Sequence, residues 1–415
     1  MLFFDRLFII ISMIYVSGGN RMKIIRIISA VLAAVMLACL SGCASGSAAD
    51  QGSTAQNTKL EELRSDSVYI LFINAGKADS ALVVSGEKAY LVDMGEESSV
   101  PSILSAMAMM EVERLDAVFL THTHSDHIGG TKAVCSVYPT DTVYTAQFSE
   151  DEEKLSKQAK KADAEQVILR AGERVDIGNG NYFEVLAPLE KNSEDDNDNS
   201  LVMMLHANGK RVLLTGDMQF AEEKTLLASG ADISADILKV GNHGNPDATG
   251  ESFAKAVSPK ISVISTDTSV DEDSANERVF DALSMSEIYV TQDSDMGLLT
   301  EIDAAGKISI SSPKRPHTGA RLEIVSASKS DQSVTVRNIG ADADVSGFFI
   351  YSSKGYEVFS FPSGSVIKSG ESVTVAAYGG DYTWGDDDNI FSKKKEDTAV
   401  LCDRYGNILS SCDSK

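Results

Sequence analysis

Three of the chain's six histidines, together with one aspartate, stand in a single short stretch, THTHSDHIGG. These residues are His122, His124, Asp126 and His127, and they follow an apolar segment, LDAVFL, that is typical of a short buried strand. Neutral imidazoles and carboxylates are ligands of zinc, or of manganese where oxygen ligands dominate. Residues two apart share a face of an extended chain, so His122 and His124 should point one way, and Asp126 and His127 another. The spacing therefore predicts a metal-binding loop that could serve two adjacent cations, rather than a merely solvated polar loop.

Three further segments carry single residues of the same chemical types. Asp93 ends the strand-like LVD, Asp217 lies in LLTGDM, and His243 lies in LKVGNHGN. HxHxDH lies between the first and the second of these segments. The four motifs, in this order along the chain, resemble the metallo-β-lactamase fold. FINAGKADSALVV, DNSLVMML and LKVGNHG resemble, more narrowly, the ComEC competence-protein branch of that fold. The resemblance covers about residues 67–312.

This resemblance implies two divalent metal ions, with zinc as the first expectation and manganese as the alternative. It implies a shared set of ligands: His122 and His124 for the first ion, Asp126, His127 and His243 for the second, and Asp217 bridging both. Asp93 would orient the histidine loop from behind the ligands, as supporting carboxylates do. Water between two such ions ionises near neutral pH, so hydrolysis by a bridging hydroxide is the implied reaction, with Asp126 and Asp217 as the catalytic candidates.

The sequence also departs from the pattern of the fold. A third histidine for the first ion is missing, because His206 stands in LVMMLHANGKRVLL, where we predict the end of a hairpin strand instead of a ligand. The branch has an Asn/Ser pair, matched here by Asn199 and Ser200, and a tandem histidine, replaced here by Asn242 followed by His243. Asn199, Ser200 and Asn242 are therefore the candidates for substrate or ligand contacts.

An acidic run, EDDND, precedes this Asn/Ser pair. The plain interpretation is a solvated loop. The sharper alternative is that Asp196 or Asp198 supplies the oxygen ligand in place of the missing histidine. Lys132, Lys210 and Lys239 are the basic residues expected nearest the site, although each could equally be an ordinary surface lysine.

The N-terminal segment is typical of an exported bacterial lipoprotein. From Met22 onward, a short basic region and an apolar run end in LSGC, which resembles a lipobox and would make Cys43 the lipidated residue. We expect residues 1–21 to be an over-long gene start, 22–43 a signal peptide and 44–66 a flexible linker. The protein would then be held by lipid on the extracellular face of the cell membrane. The alternative is an uncleaved membrane anchor.

Two folded regions are expected after the linker. Residues 67–312 alternate short apolar strands with amphipathic helices, the last of them near 276–285, which predicts a layered α/β domain, an αββα sandwich in the resemblance. Residues 313–320 form a second linker. Residues 321–415 carry short alternating strands, which predict an all-β, immunoglobulin-like sandwich that resembles the lamin-tail domain. We expect Trp384 to serve packing or to lie at a rim instead of forming a binding hot spot. Cys402 and Cys412 are expected to be free thiols, with a bridge between them as the alternative.

The composition constrains the choice of substrate. The formal net charge of −24 repels polyanions at long range, so a nucleic-acid substrate would need a local basic patch. The resemblance implies phosphodiester hydrolysis, with DNA as one candidate substrate. Two alternatives remain: hydrolysis of a smaller phosphoester or ester at the cell wall, and a non-catalytic surface binding protein with a structural or degenerate metal site. The ligand of the lamin-tail-like region and the oligomeric state are left open.

Overall fold

The computed structural model describes residues 63–385 and 389–415. The expectations for the gene start, the signal peptide, Cys43 and most of the first linker lie outside these residues. Within the two described ranges, no helix combines the length and the apolar character needed to cross a bilayer.

Short strands alternate with helices through the first region, as expected. Its strands are β1 (Val68–Ile73), β2 (Ala81–Ser85), β3 (Lys88–Val92), β4 (Leu115–Leu120), β5 (Thr140–Ala146), β6 (Glu165–Leu169), β7 (Arg174–Gly178), β8 (Asn181–Ala187), β9 (Val202–Ala207), β10 (Lys210–Leu214), β11 (Ile237–Lys239), β12 (Ile261–Ile264), β13 (Glu287–Val290), β14 (Gly297–Ile302) and β15 (Ile308–Ser311). Its α-helices are α1 (Val100–Met109), α2 (Ser125–Ile128), α3 (Thr131–Val137), α4 (Glu152–Lys161), α5 (Phe220–Ser229), α6 (Glu251–Val257) and α7 (Glu277–Ala282).

The strands form two sheets that face each other. The first has eight strands in the order β15-β14-β1-β2-β3-β4-β5-β6, and the second has seven in the order β13-β12-β11-β10-β9-β8-β7. Alternation along β1 shows the layering: Phe72 packs with Phe183 between the sheets, whereas Leu71 packs on the opposite face with Leu104 of α1. On the outer face of the second sheet, Leu213 packs with Leu226 of α5. This arrangement is the expected αββα sandwich.

The site residues are brought together by strand ends. β3 pairs in parallel with β4 in one sheet, and β10 pairs in parallel with β11 in the other. The carboxyl ends of parallel strands lie at the same edge of a sheet, so the segments after these four strands converge. They carry Asp93, the histidine loop, Asp217 and His243.

The C-terminal region consists mostly of β-strands, which confirms the expected all-β character. Its strands are β16 (Leu322–Ser328), β17 (Ser333–Asn338), β18 (Ala343–Asp344), β19 (Phe349–Ser352), β20 (Val358–Ser360), β21 (Val366–Ile367), β22 (Ser372–Ala376), β23 (Tyr382–Thr383), β24 (Thr398–Cys402) and β25 (Ile408–Asp413). They form sheets β16-β17-β22-β23 and β20-β19-β24-β25, with a small β18-β21 pair. Trp384 is 2% exposed inside this core, and Cys402 and Cys412 are free thiols, both as expected.

One sheet of the C-terminal region has two buried faces. Ile350 and Leu401 point into the core of that region, whereas Phe349 and Val400 join the cluster formed by α1, α3 and the first sheet of the sandwich. The expected linker is also held in place, because the backbone N–H and the hydroxyl of Thr318 donate hydrogen bonds to the carboxylate of Asp403 at 3.3 and 3.1 Å. The two regions therefore share apolar surface, which the strand pattern of each region does not indicate.

Candidate active site

Asp93 sets the position of the histidine loop. Its buried carboxylate accepts hydrogen bonds from the backbone N–H and the hydroxyl of Thr121, both at 2.8 Å. The same carboxylate lies 2.7 Å from Nδ1 of His127. Because a carboxylate accepts a hydrogen bond from the ring, Nδ1 of His127 carries a hydrogen, and Nε2 faces away from Asp93 toward Asp217. Asp93 thus holds the histidine loop through Thr121 and His127.

A tight turn then presents the next two groups. Residues Ser125–Ile128 form one helical turn, which puts Asp126 and His127 side by side on the inner face of the loop. Gly129 and Gly130 follow with ordinary helical φ values, so their role is not a left-handed turn. A Cβ on Gly130 would overlap the carbonyl group of Met94, so glycine is needed for close approach of the backbones.

Four side chains from three segments meet at this point: Asp126, His127, Asp217 and His243. Oδ2 of Asp217 lies 3.1 Å from Nε2 of both His127 and His243, and Oδ2 of Asp126 lies 3.4 Å from Nε2 of His243. One ligand atom from each residue lies within 4.8 Å of the others. The spacing suits four ligands around one ion.

The atoms that face each other have no other partners. Nε2 of His127, Nε2 of His243 and Oδ1 of Asp217 are buried without a hydrogen-bond partner, and so is Nε2 of His122. Buried polar groups are normally hydrogen-bonded, so unsatisfied imidazole nitrogens around a carboxylate fit a divalent cation. The donor set therefore passes this test for a metal site.

His243 reaches the cluster through a strained loop. Asn242 and His243 both have positive φ values, 45° and 53°, in a short turn after β11. Nδ1 of His243 lies 2.9 Å from the carbonyl oxygen of Ser265, so this nitrogen donates and Nε2 is left to face Asp217. Strained backbone of this kind is found at functional sites, where surrounding contacts hold it in place.

The first predicted ion site is less complete. Nε2 of His122 lies 4.0 Å from Oδ2 of Asp217, and the rings of His122 and His124 stand 4.7 Å apart. Neither residue belongs to the clusters of potential ligands found among the described residues. His206 does not complete the set: it lies in β9, stacks on Tyr182 and contacts Glu184 at 3.1 Å. The prediction that His206 is a strand-end residue is confirmed.

The charges of these groups depend on one another. Burial lowers the pKa of His122 well below its usual range, and the neighbouring His127 adds to this effect. Burial by itself would also lower the pKa of His243, but Asp217 and Asp126 raise it to about 9. Burial opposes the ionisation of Asp217, yet His127 and His243 hold the pKa of its carboxyl well below the ordinary value. A cation that binds Nε2 of His243 must therefore displace a proton.

Asp196 and Asp198 of the acidic run support the neighbouring loops through hydrogen bonds. The buried carboxylate of Asp196 accepts hydrogen bonds from the backbone N–H and hydroxyl of Thr123, at 2.8 and 2.5 Å, and from the N–H of Glu150 at 2.5 Å. Asp198 accepts from the N–H groups of Gln219 and Glu222, both at 3.0 Å, at the start of α5. The structure thus gives both aspartates a role other than the ligand alternative.

The three candidates for substrate or ligand contacts differ in position. The side chain of Asn199 is used within its own loop, since its amide donates to the carbonyl of Asn192 and to Asp196. Ser200 is closer to the site, because its hydroxyl accepts from the N–H of Asp217 at 3.1 Å. The amide of Asn242 donates to Asp247 at 2.9 Å.

Two charged residues beneath the cluster were not anticipated as partners. Lys239 is only 5% exposed, forms an ion pair with the buried Asp79, and lies 3.9 Å from Oδ1 of Asp217. The sequence signal was present: Lys239 ends a three-residue strand between apolar neighbours, and parallel strands in a sandwich are buried on both faces. An ammonium here partly neutralises the carboxylates that crowd the site.

A cavity of about 520 Å³ opens beside Asp126. Its charged lining groups are Glu96, Asp126 and Asp267, which are acidic, and Lys77, which is basic. Serines supply further polar lining, namely Ser98, Ser99, Ser102 and Ser125. The cavity is within the size range of small-molecule sites.

Comparison with known proteins agrees with this geometry. Residues 73–268 match the model of the Metallo-beta-lactamase superfamily. This part of the chain therefore has the metallo-β-lactamase fold, and the C-terminal β region follows it. Among solved structures, the metallo-beta-lactamase fold protein YhfI from Bacillus subtilis is 14% identical, with a TM-score of 0.40, over 57% of this chain and 99% of that one.

Competence proteins are distant relatives. ComE operon protein 3 of Bacillus subtilis is 31% identical over 43% of this chain and 23% of its own length. Competence protein ComA of Neisseria gonorrhoeae is 30% identical over 50% of this chain and 28% of its own length. The chain thus spans about a quarter of the length of these relatives.

Proposed function

We propose that this protein is a metal-dependent hydrolase of phosphoesters, in the phosphodiesterase or nuclease class. The observation that carries the proposal is the cluster of Asp126, His127, Asp217 and His243, in which Nε2 of both histidines and Oδ1 of Asp217 are buried without a hydrogen-bond partner. These four residues would hold one ion. His122 and His124, with Asp217 shared, would hold a second and weaker one. Zinc suits the imidazole-rich set best, and manganese is the alternative.

The chain's own residues prepare the ligands for this task. Divalent ions in such a set supply a water of lowered pKa and neutralise negative charge that develops on a phosphoryl oxygen. Asp93 and the carbonyl of Ser265 each accept a hydrogen bond from Nδ1 of a histidine, so that the Nε2 atoms of His127 and His243 are oriented as ligands. The ammonium of Lys239, 3.9 Å from Oδ1 of Asp217, partly offsets the negative charge of that carboxylate.

The distant competence-protein relatives and the resemblance of the sequence to that branch support phosphodiester hydrolysis, with DNA as one candidate substrate. The acidic lining of the cavity favours a second candidate, a smaller phosphoester, because carboxylates repel a chain of phosphates. A non-catalytic binding protein is the remaining alternative. A degenerate site would retain no ions, whereas a structural site would retain ions without hydrolysis.

The test is a matched pair of variants in the full chain, loaded with zinc or manganese. Asp217→Ala removes the carboxylate that faces His122, His127 and His243, so it should lower the metal content and abolish phosphodiester hydrolysis. His206→Ala is the control, because its ring stacks on Tyr182 away from the cluster and should leave metal content unchanged. If His206→Ala empties a site while Asp217→Ala does not, the assignment of ligands is wrong.

We also propose that the protein is tethered to the outer face of the membrane through Cys43, and that residues 321–415 form a lamin-tail-like domain. The support for the anchor is LSGC after a basic and apolar leader, and for the domain the strand order and the two facing sheets. Cys43→Ser should release the protein from the membrane or stall its processing. Normal processing and membrane retention of this variant would contradict the lipoprotein assignment.

A further inference from the structure

Lys77 lies at the boundary between the candidate metal cluster and the cavity. Its ammonium nitrogen is 3.0 Å from Oδ2 of Asp126 and 3.9 Å from Oδ2 of Asp271, and its side chain is 31% exposed. Oδ2 of Asp126 is also the atom that faces Nε2 of His243. Lys77 therefore contacts the one potential ligand that both the cluster and the cavity use.

The loop that carries Lys77 is held firmly between β1 and β2. The carbonyl of Ala75 accepts from the Ser99 hydroxyl at 2.7 Å, and the N–H of Asp79 donates to the carbonyl of Asp126 at 3.1 Å. Asn74 donates its amide to the carbonyl of Ser294 at 2.8 Å. The backbone on both sides of Lys77 is thus fixed to the histidine loop and to the neighbouring strand connection, so a ligand bound by the ammonium does not have to order this loop.

Charge in the cavity is unevenly distributed. Among the residues described as lining it, Lys77 is the one basic side chain, against Glu96, Asp126 and Asp267. Asp126 is neutralised in part when it serves as a ligand, and the ammonium of Lys77 can then pair with an anion in the cavity. The remaining carboxylates oppose a second anionic group, because like charges in a partly enclosed space repel strongly.

We infer that Lys77 binds the phosphoryl group of the substrate, and that the substrate is a small phosphodiester with a single negative charge instead of a polynucleotide. This inference rests on the proposed phosphoester hydrolysis and deepens it. Lys77 is a specificity-determining residue that supplies one charge-assisted hydrogen bond to a phosphoryl oxygen. The cavity of about 520 Å³ accommodates the ester groups of such a molecule.

The test measures binding as well as turnover. Dimethyl phosphate, a small phosphodiester that carries one charge, is titrated calorimetrically into zinc-loaded full-length protein. Lys77→Met should weaken its binding about tenfold, Lys77→Arg should restore most of it, and metal content should stay unchanged. Lys224→Met is the matched control, because Lys224 is an exposed lysine of α5. This variant should bind dimethyl phosphate as tightly as the unmodified protein does.

Turnover separates charge recognition from a general defect. With bis(p-nitrophenyl) phosphate, Lys77→Met should raise KM about tenfold and leave kcat within about twofold, since the lost contact is made in the ground state as well. Equal affinity of Lys77→Met and the unmodified protein for dimethyl phosphate would overturn the inference. So would Lys77-dependent binding of single-stranded DNA that is tighter, per molecule, than that of dimethyl phosphate.

The outcomes also distinguish this inference from the proposed function. Lys77-dependent binding of dimethyl phosphate without hydrolysis of any phosphoester would refute the proposed function and leave the anion site standing. If Asp217→Ala abolishes hydrolysis while Lys77→Met leaves both KM and the affinity for dimethyl phosphate unchanged, the proposed function is supported and the role of Lys77 is refuted.

Discussion

Removing the carboxylate of Asp196 is a direct test of how the histidine loop is held. This side chain is 1% exposed and accepts four hydrogen bonds, two from Thr123, one from the N–H of Glu150 and one from the amide of Asn199. Hydrogen bonds to a charged group contribute about 1.5–3 kcal/mol each, but those that share one carboxylate do not add fully. Asp196→Ala leaves buried donors unpaired, so the free energy of unfolding should fall by about 3–5 kcal/mol.

Asp196→Asn is the milder variant. It keeps the shape of the side chain but turns one acceptor oxygen into a donor that faces other donors, so we expect a loss of about 2–3 kcal/mol. Urea denaturation of chelator-treated protein, followed by far-ultraviolet circular dichroism, measures both losses. Glu194→Gln removes an equal charge at an exposed position two residues earlier and should change the free energy of unfolding by less than about 0.5 kcal/mol.

Metal content decides between the two roles of Asp196. As a support for the loop, the asparagine variant should bind the normal number of ions at saturating zinc, with weaker affinity because the histidines are less well positioned. A variant that keeps its stability within about 0.5 kcal/mol and yet loses one ion at saturation would show instead that Asp196 is a ligand.

Four other outcomes are expected. Burial raises the pKa of Glu222 from 4.5 to about 7, so the folded state binds this proton more tightly and stability is lost as the pH rises from about 4.5 through 7. Glu222→Gln should therefore stabilise the protein at pH 8 by up to about 3 kcal/mol, a figure that screening by water reduces, and should give a smaller gain at pH 5. Urea denaturation at the two pH values measures both gains. The pKa of His243 is about 9, and, against the effect of burial, Asp217 and Asp93 also raise the pKa of His127. Zinc affinity in competition with a chelating dye should therefore rise by at least about tenfold per pH unit below pH 9, and a flat profile would exclude His243 as a ligand. When a chelator is titrated in, the ion at His122 should leave before the ion at His243, since fewer protein ligands hold it; simultaneous release would contradict this order. A fragment that ends at Ser312 should bind metal but unfold at lower urea than the full chain, because one apolar sheet face of the β region no longer covers it; a molten fragment would show that the sandwich cannot fold alone.

Much of the site could be predicted from the sequence because its chemistry is local. The pattern HxHxDH places its groups on one loop, and the strands that end before Asp93, Asp217 and His243 are short, continuous apolar runs, as expected for strands buried on both faces. Such strands can be recognised without knowing their partners. The hairpin that contains His206 was predictable for the same reason, since Asn-Gly between two apolar strands is a strong turn signal.

Element ends were less predictable. The last helix of the sandwich ends at Ala282 and not near 285, because the chain turns at Leu283–Ser286 to enter β13. Helix propensity alone does not show where a following strand requires the chain to turn. The packing of the β region against α1 and α3 was not predictable either. Consecutive apolar residues in β19 and β24 indicate that both strand faces are apolar, but they do not show what covers the second face.

The sequence by itself determined the types of ligand, their order along the chain and the strands that present them. Only the tertiary structure decided which charges stand together: Lys239 with Asp79 beneath the cluster, Lys77 with Asp126 at its mouth, and Asp196 with the Thr123 backbone. The physical reason is that these pairs join residues far apart in sequence. The sequence around a lysine or an aspartate does not show whether its side chain is exposed to water or buried beside an opposite charge. Their roles arise from the convergence of strand ends from two sheets, a property of the assembled sandwich that no single segment carries.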